Sequence, residues 1–256
     1  MPSTAAIRLE VESILARRAP AAFAFKIKQA PELFATGIGN IDAVLGGIPR
    51  GSITEVVGAA STGKTSFGLS AIAAITQSGA ACAWVDVSDA LSPESAAAAN
   101  IVLKRLLWLR VSSERKERIV EKPWLRLERA LKATDLLLQA GGFAAIVLDM
   151  SDVLPRHMMR IPLATWYRFR LAAEQARTAL ILLAQAASAS NCAALVLRCE
   201  AASIQPFSSD GETALFERQR YTLVRERNRN EGRASFHKKP SMRAEWFAET
   251  LWSQVR

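Results

Sequence analysis

The chain of 256 residues is short of several things, and each shortage excludes a class. It has only three cysteines, Cys82, Cys192 and Cys199. Three cannot all pair, and their spacing matches no metal-binding pattern. A disulfide framework and a cysteine-based zinc site are therefore excluded, and reduced thiols in a cytosolic protein are expected. No apolar run reaches membrane-spanning length without a charge interrupting it, so no membrane association is expected. Arg8, Glu10 and Glu12 stand where a secretion signal would be apolar, which argues for a cytoplasmic location. Acidic residues are also scarce: 24 against 33 basic ones, for a net charge of +9 and a pI of about 9.9. That balance favours a polyanionic partner, although an arginine-rich but otherwise ordinary surface gives the same count.

Half the residues are apolar, which suits one α/β domain with a substantial core and small appendages. Within it, Gly58–Ser66 reads GAASTGKTS and fits G-x-x-x-x-G-K-[ST], with Gly58, Gly63, Lys64 and Thr65 in the fixed places. The spacing has a physical reason. The loop must curl so that its backbone N–H groups point at phosphate oxygens, a path the two glycines permit. The loop as a whole, Gly58, Ala59, Ala60, Ser61, Thr62, Gly63, Lys64, Thr65 and Ser66, is thus the expected nucleotide cradle. Lys64 supplies a cation for the outer phosphates, and the Thr65 hydroxyl can ligate Mg²⁺. A β-branched strand over Ile53–Val57 and a helix over Phe67–Ser78 give the strand–loop–helix context the motif needs.

A second nucleotide signal is an apolar strand over Ala144–Leu148 that delivers Asp149. A carboxylate at the end of a parallel strand lies beside the phosphate loop, where it can hold Mg²⁺. Elsewhere the periodicity predicts a helix from Thr4 to about Arg18, with Ile7, Val11, Ile14 and Leu15 as its apolar stripe. It can bury that stripe on its own core or on a neighbouring subunit. A linker over Ala19–Leu33 follows, with a short strand near Phe23–Ile27. Strands are expected over Ala81–Val87, Lys104–Val111, Thr178–Ala184, Ala194–Arg198 and Tyr221–Val224. Helices are expected over Trp124–Gln139 and Ala164–Arg177. Met150–Ile161 reads as irregular, and Ser112–Lys122 as a charged, exposed stretch. Arg218–Arg243 is the most basic part of the chain. Arg225, Arg227 and Arg229 alternate there, so a strand would put them on one face. Trp246, Phe247 and Trp252 stand among charges near the end, where they complete a core or dock a partner.

The run Thr36-Gly37, Asp42, Leu45-Gly46-Gly47-Ile48-Pro49, Gly51, Ile53 and Glu55 leads straight into the phosphate loop. With Ala83-Trp84-Val85-Asp86, Asp89-Ala90-Leu91 and Pro93, it resembles the RecA family of recombinase ATPases. The resemblance is close over Thr36–Pro93 and looser beyond. It implies an α/β RecA-like P-loop NTPase core with a mostly parallel central sheet flanked by helices, and ATP with Mg²⁺ held by Thr65 and Asp149. It further implies that Gln185 senses the terminal phosphate. Arg225 and Arg227 occupy the places of two cations that reach a neighbour's nucleotide. A solvated strand face and a DNA-phosphate contact, with Arg229, remain equal alternatives.

The chain also departs from that pattern. The family's water-activating glutamate falls at Ser88, which cannot take up a proton at neutral pH. Asp89 is the nearest substitute, displaced by one residue. The segment Ala186–Ala193 after Gln185 is brief for a DNA-binding loop. A compact chain with these features resembles the ImuA group of RecA-related accessory factors in bacterial translesion synthesis. The residues behind that narrower likeness are Asp89–Ser95, Leu106-Leu107-Trp108 and Ile161–Arg168. The expectation is therefore an ATP-binding accessory protein of DNA repair and the SOS response. It would have weak or absent hydrolysis and would partner single-stranded DNA, a translesion polymerase or related protein, and possible further copies through the N-terminal helix. The competing expectation is a DNA-dependent ATPase that forms filaments and exchanges strands. The expected division is a helix and linker over 1–33, the core over 34–230 and a tail over 231–256.

Overall fold

The computed structural model describes residues 32–111, 123–206, 216–228 and 242–249. The predicted N-terminal helix, the strand near Phe23–Ile27, the charged stretch 112–122, Arg229 and Trp252 lie outside these residues. The described residues all belong to one compact unit.

In chain order the described elements are β1 (Leu33–Phe34), α1 (Gly39–Leu45), β2 (Ile48–Pro49), β3 (Ile53–Val57), α2 (Lys64–Gln77), β4 (Cys82–Asp86) and α3 (Pro93–Ala98). A 3₁₀ turn over Leu103–Arg105 leads into β5 (Leu106–Arg110). Then come α4 (Pro123–Ala140), β6 (Ala145–Asp149), α5 (Pro155–Met158), α6 (Leu163–Ala176) and β7 (Ala179–Ala184). A second 3₁₀ turn, Ser190–Cys192, precedes β8 (Ala193–Pro206), β9 (Phe216–Asn228) and β10 (Arg243–Glu249).

Eight strands form one sheet in the order β10-β9-β8-β3-β7-β6-β4-β5. The six from β8 to β5 pair in parallel, and β8, β9 and β10 pair antiparallel. In β3, β4, β6 and β7 every residue is buried. That is why these strands read as largely apolar runs, interrupted in β3 by Thr54 and Glu55: helices cover both faces of a parallel sheet. One core lies on the face covered by α2 and includes Val56, Phe67, Ile72, Trp84 and Leu183. The other lies under α4 and α6 and includes Ile53, Leu127, Leu148, Trp166 and Phe169. The three cysteines are free and buried. No helix among the described residues is long and apolar enough to cross a membrane.

The structure extends the sequence reading at its far end. The composition places the end of the core at residue 230, with a tail beyond. Instead β10 pairs with β9 along its whole length, from Arg243↔Val224 to Glu249↔Arg218. Strands β8 and β9 run for 14 and 13 residues, far beyond the short stretches expected. The segment after Asp149 is not wholly irregular, because α5 forms within it behind Pro155.

Candidate functional site

Strand β3 lies between β7 and β8, so the loop that follows it opens at the centre of the carboxyl edge of the parallel strands. Two glycines set its shape. A Cβ at Gly58 would sit 2.4 Å from the Cys199 carbonyl oxygen of β8 and 2.6 Å from Thr62 Oγ1. Gly63, which precedes α2, has φ +86°, and a Cβ there would meet the Tyr221 ring at 2.8 Å and Trp246 at 3.0 Å. Strain and lack of space thus both require glycine at Gly63. Tyr221 and Trp246, from β9 and β10, lie with ring centroids 4.9 Å apart and brace the loop from behind.

The loop closes around its own lysine. Lys64 is buried, and its Nζ donates to the carbonyl oxygens of Gly58 (2.8 Å) and Ala59 (2.5 Å). These carbonyls hold the ammonium where phosphate oxygens would otherwise receive it. Burial lowers the Lys64 pKa, opposed by Cys199, Asp149 and Asp152. The Cys199 thiol is itself pushed up to about 12 by burial, so it stays neutral. Thr62 Oγ1 donates to the Ala59 carbonyl at 2.9 Å and fixes the loop's first turn. Ala59, Ala60 and Ser61 are exposed, as is Thr65 in the first turn of α2, so phosphate and metal can reach them.

Asp149 ends β6 and is buried, with its Oδ1 accepting from the Ser151 amide at 3.0 Å. Burial raises its pKa, with Asp86 and Asp152 adding to the rise. A buried carboxylate so placed gains from a cation, and the donor set of Thr65 hydroxyl and Asp149 carboxylate suits Mg²⁺. The glycine-shaped cradle and Lys64 likewise suit a triphosphate. Gln185, just beyond β7, is half-buried and donates from Nε2 to the Ser151 carbonyl at 3.1 Å. It therefore reaches the same loop that restrains Asp149.

The remaining expected site residues are placed differently. Asp86, at the end of β4, is held by the loop that follows it. Its carboxylate turns back and accepts from the amides of Ser88 (3.2 Å), Ala90 (3.2 Å) and Leu91 (2.9 Å). Asp89, at φ +58°, is held in a two-point ion pair by Arg110 at 2.5 and 2.6 Å. It would have to release Arg110 to act on a water. Arg227 donates to the carbonyl oxygens of Ser190 and Ala193, at the start of β8. It lines a cavity with Glu55, the buried charge in β3. Glu55 Oε1 accepts from the amides of Ser188 (2.7 Å) and Ala189 (2.9 Å) and so pins the segment after Gln185. Burial raises the Glu55 pKa against those two amides. Sequence reasoning missed Glu55 in this role, although a lone charge inside an apolar strand was its signal. It also missed the bracing by Tyr221 and the proximity of Cys199, which no local pattern announces.

Comparison with known proteins agrees with this geometry. The model of the RecA N-terminal domain matches residues 21–197. Protein RecA of Acinetobacter baumannii (strain AYE) is 36% identical over 123 residues, covering 47% of this chain and 32% of its own length. Protein RecA of Pseudomonas fluorescens (strain SBW25) is 36% identical over 124 residues, covering 48% of this chain and 32% of its own. The match thus spans about a third of the length of these relatives.

Proposed function

Because the chain belongs to the RecA N-terminal domain family, we propose that it is an ATP-binding protein of bacterial DNA repair. In this reading it serves error-prone translesion synthesis as an accessory factor in the cytoplasm and hydrolyses ATP slowly. The observation that carries the nucleotide reading is the closed loop around Lys64, with Asp149 at the end of the strand two places away in the sheet. On this reading Gly58–Ser66 holds the triphosphate, Thr65 and Asp149 hold Mg²⁺, and Gln185 relays the state of the site to the Asp149 loop. Mg²⁺, once bound, would neutralise charge on the outer phosphates. The chain's own part is to lend Lys64 from its carbonyl partners to the phosphates and to place the Asp149 carboxylate beside the metal.

Slow turnover is supported by Ser88 in the place of a general base and by the engagement of Asp86 and Asp89 in other contacts. The competing reading is a DNA-stimulated ATPase that assembles on single strands. The ATP-binding core in this proposal runs from residue 34 through β10, with residues 1–33 as a separate segment that could join copies of the chain.

A fluorescent ATP titration with and without Mg²⁺, followed by steady-state hydrolysis with and without single-stranded DNA, tests the proposal. Mg²⁺-dependent binding with little stimulation by DNA is expected. Strong stimulation with assembly would favour the competing reading. The basic strand β9 can be placed in the same experiment. Replacing Arg225 and Arg227 by alanine flattens the salt dependence of single-strand binding if they touch DNA, by about one unit of slope per lost phosphate contact. It abolishes ATP-dependent assembly if they reach a neighbour. Unchanged behaviour in both assays would leave them as structural or solvated groups.

A further inference from the structure

Helix α6 has two apolar faces, and the core uses one of them. Trp166, Phe169 and Ala173 are buried in the core beneath the helix. One such stripe is what a surface helix needs to hold its place. A second row, Leu163, Tyr167 and Leu171, recurs at every fourth residue, so the three side chains lie one above another along about 12 Å of helix. They are 51%, 45% and 50% exposed. Met159, just ahead of α6, is 85% exposed. Single exposed leucines are ordinary on a surface, whereas a row at helical spacing is the form taken by faces that dock another helix.

The charges beside the row select its occupant. Arg170 follows Tyr167 by three residues and so borders the row, with its guanidinium 5.1 Å from the Tyr167 ring centroid. Arg160, next to Met159, stands 4.8 Å from the Trp124 ring centroid. Among the described residues neither guanidinium meets a carboxylate, and Arg170 Nε meets no hydrogen-bond partner. The neighbouring arginines are already matched: Arg168 by Asp135 of α4 at 3.0 Å, and Arg177 by Glu32 at 3.0 Å. Glu174, the one carboxylate of α6, lies beyond Arg170 towards the end of the helix. The face is therefore apolar along its length, with unmatched cations at Arg160 and Arg170. We propose that it is a docking site for an amphipathic helix of a partner protein. The apolar side of that helix covers Leu163, Tyr167 and Leu171, and its carboxylates meet Arg160 and Arg170. The net charge of +9 draws such an acidic partner from a distance. A contact of this length is small, which fits a partner that binds and leaves. The inference goes beyond the nucleotide reading and does not depend on it.

Two fluorescent helical peptides of about 16 residues test it on the full chain. Both carry leucines at the spacing of an amphipathic helix. One has glutamates beside the leucines and the other has lysines. The glutamate peptide should bind, and more weakly as salt rises. Leu163→Glu combined with Leu171→Glu should weaken it by about tenfold or more, because carboxylates enter the apolar contact. Arg170→Glu should weaken it by about tenfold and strengthen binding of the lysine peptide. All these side chains are at least partly exposed, so the variants should melt like wild type. Replacing Tyr167 by the photo-crosslinker p-benzoylphenylalanine identifies the occupant, and it should capture the glutamate peptide. Capture of a segment of the same chain, or of a second copy, would assign the face to this protein itself and overturn the proposal. Equal binding of both peptides overturns it too, as does no binding of the glutamate peptide. So does binding that ignores the paired leucine substitutions in a variant that melts normally. Should the paired variant fail to fold, the exchange of preference in Arg170→Glu decides. An ATP titration reads the phosphate loop separately, so failure of either reading leaves the other standing.

Discussion

Strands β4 and β6 lie side by side with Asp86 opposite Asp149, yet the two loops that follow use their aspartates in opposite ways. After β4, the Asp86 carboxylate is consumed by three amides of its own loop, with Trp108 Nε1 at 3.4 Å beside them. After β6, Asp149 is buried with the Ser151 amide on one oxygen, and burial pushes its pKa up. Two residues of one type at one level of the sheet thus have different work. Asp86 holds a turn together. Asp149 carries a desolvation cost that a cation would relieve. The hydrogen bonds each oxygen already makes separate the two roles, whereas position in the strand does not.

The largest expected effect comes from returning a carboxylate to the loop after β4. Ser88→Glu should raise ATP turnover, since general-base catalysis contributes about 10²–10⁴-fold. A wild type already as fast as the mutant would point to another base, Asp89, and weaken the slow-turnover reading. Next in size is Asp86→Ala. It leaves three amides without their ionised acceptor, and at about 1.5–3 kcal/mol for a charged hydrogen bond a loss of at least about 3 kcal/mol follows. That is a drop of roughly 6–12 °C in Tm, readable by differential scanning fluorimetry. A melt like that of wild type would show that the turn does not depend on Asp86.

Lys64→Ala should weaken nucleotide binding by about 10- to 150-fold, because the loop keeps its backbone donors but loses about 1.5–3 kcal/mol of charged contact. Wild-type affinity in a fluorescent ATP titration would remove Lys64 from its role. The smallest effect is expected at Asp149. Its folded pKa is raised, so its contribution to stability is full below the unfolded value near 3.8 and is lost as pH rises through the folded one. At neutral pH the ionised, buried carboxylate therefore costs stability. Asp149→Asn should melt slightly higher than wild type without nucleotide, and the gap should close on acidification. The same variant should lose the Mg²⁺ dependence of ATP binding. A lower neutral-pH melt for the variant would contradict the contrast with Asp86.

The parallel half of the fold was legible because its central strands β4, β6 and β7 are apolar runs of four to six residues, and because glycine spacing defines the phosphate loop that follows β3. Asp149 was legible for the same reason, as the first charge after such a run. The antiparallel half was not. In β8 and β9, residues such as Arg198, Glu200, Arg225 and Glu226 alternate with buried Cys199, Leu223 and Tyr221, so no apolar run marks their length. Strand β10 is masked in the same way by Arg243, Glu245 and Glu249 around Ala244 and Trp246. The role of Asp86 was not legible because its partners are amides of a loop whose path appears only in three dimensions.

The stacking of Tyr221 and Trp246 behind Gly63 has a bearing on how the protein is made. The phosphate loop leaves the ribosome early, but the aromatic brace that shapes it belongs to strands synthesised more than 150 residues later. Contacts so distant along the chain form slowly, since the intervening segment must close on itself before they offset the entropy lost. A nascent chain therefore displays the complete glycine–lysine motif long before the two aromatic rings can brace it. On the nucleotide reading proposed above, the loop reaches its braced form only when β9 and β10 have paired beside it, which ties ATP affinity to synthesis having passed Trp246.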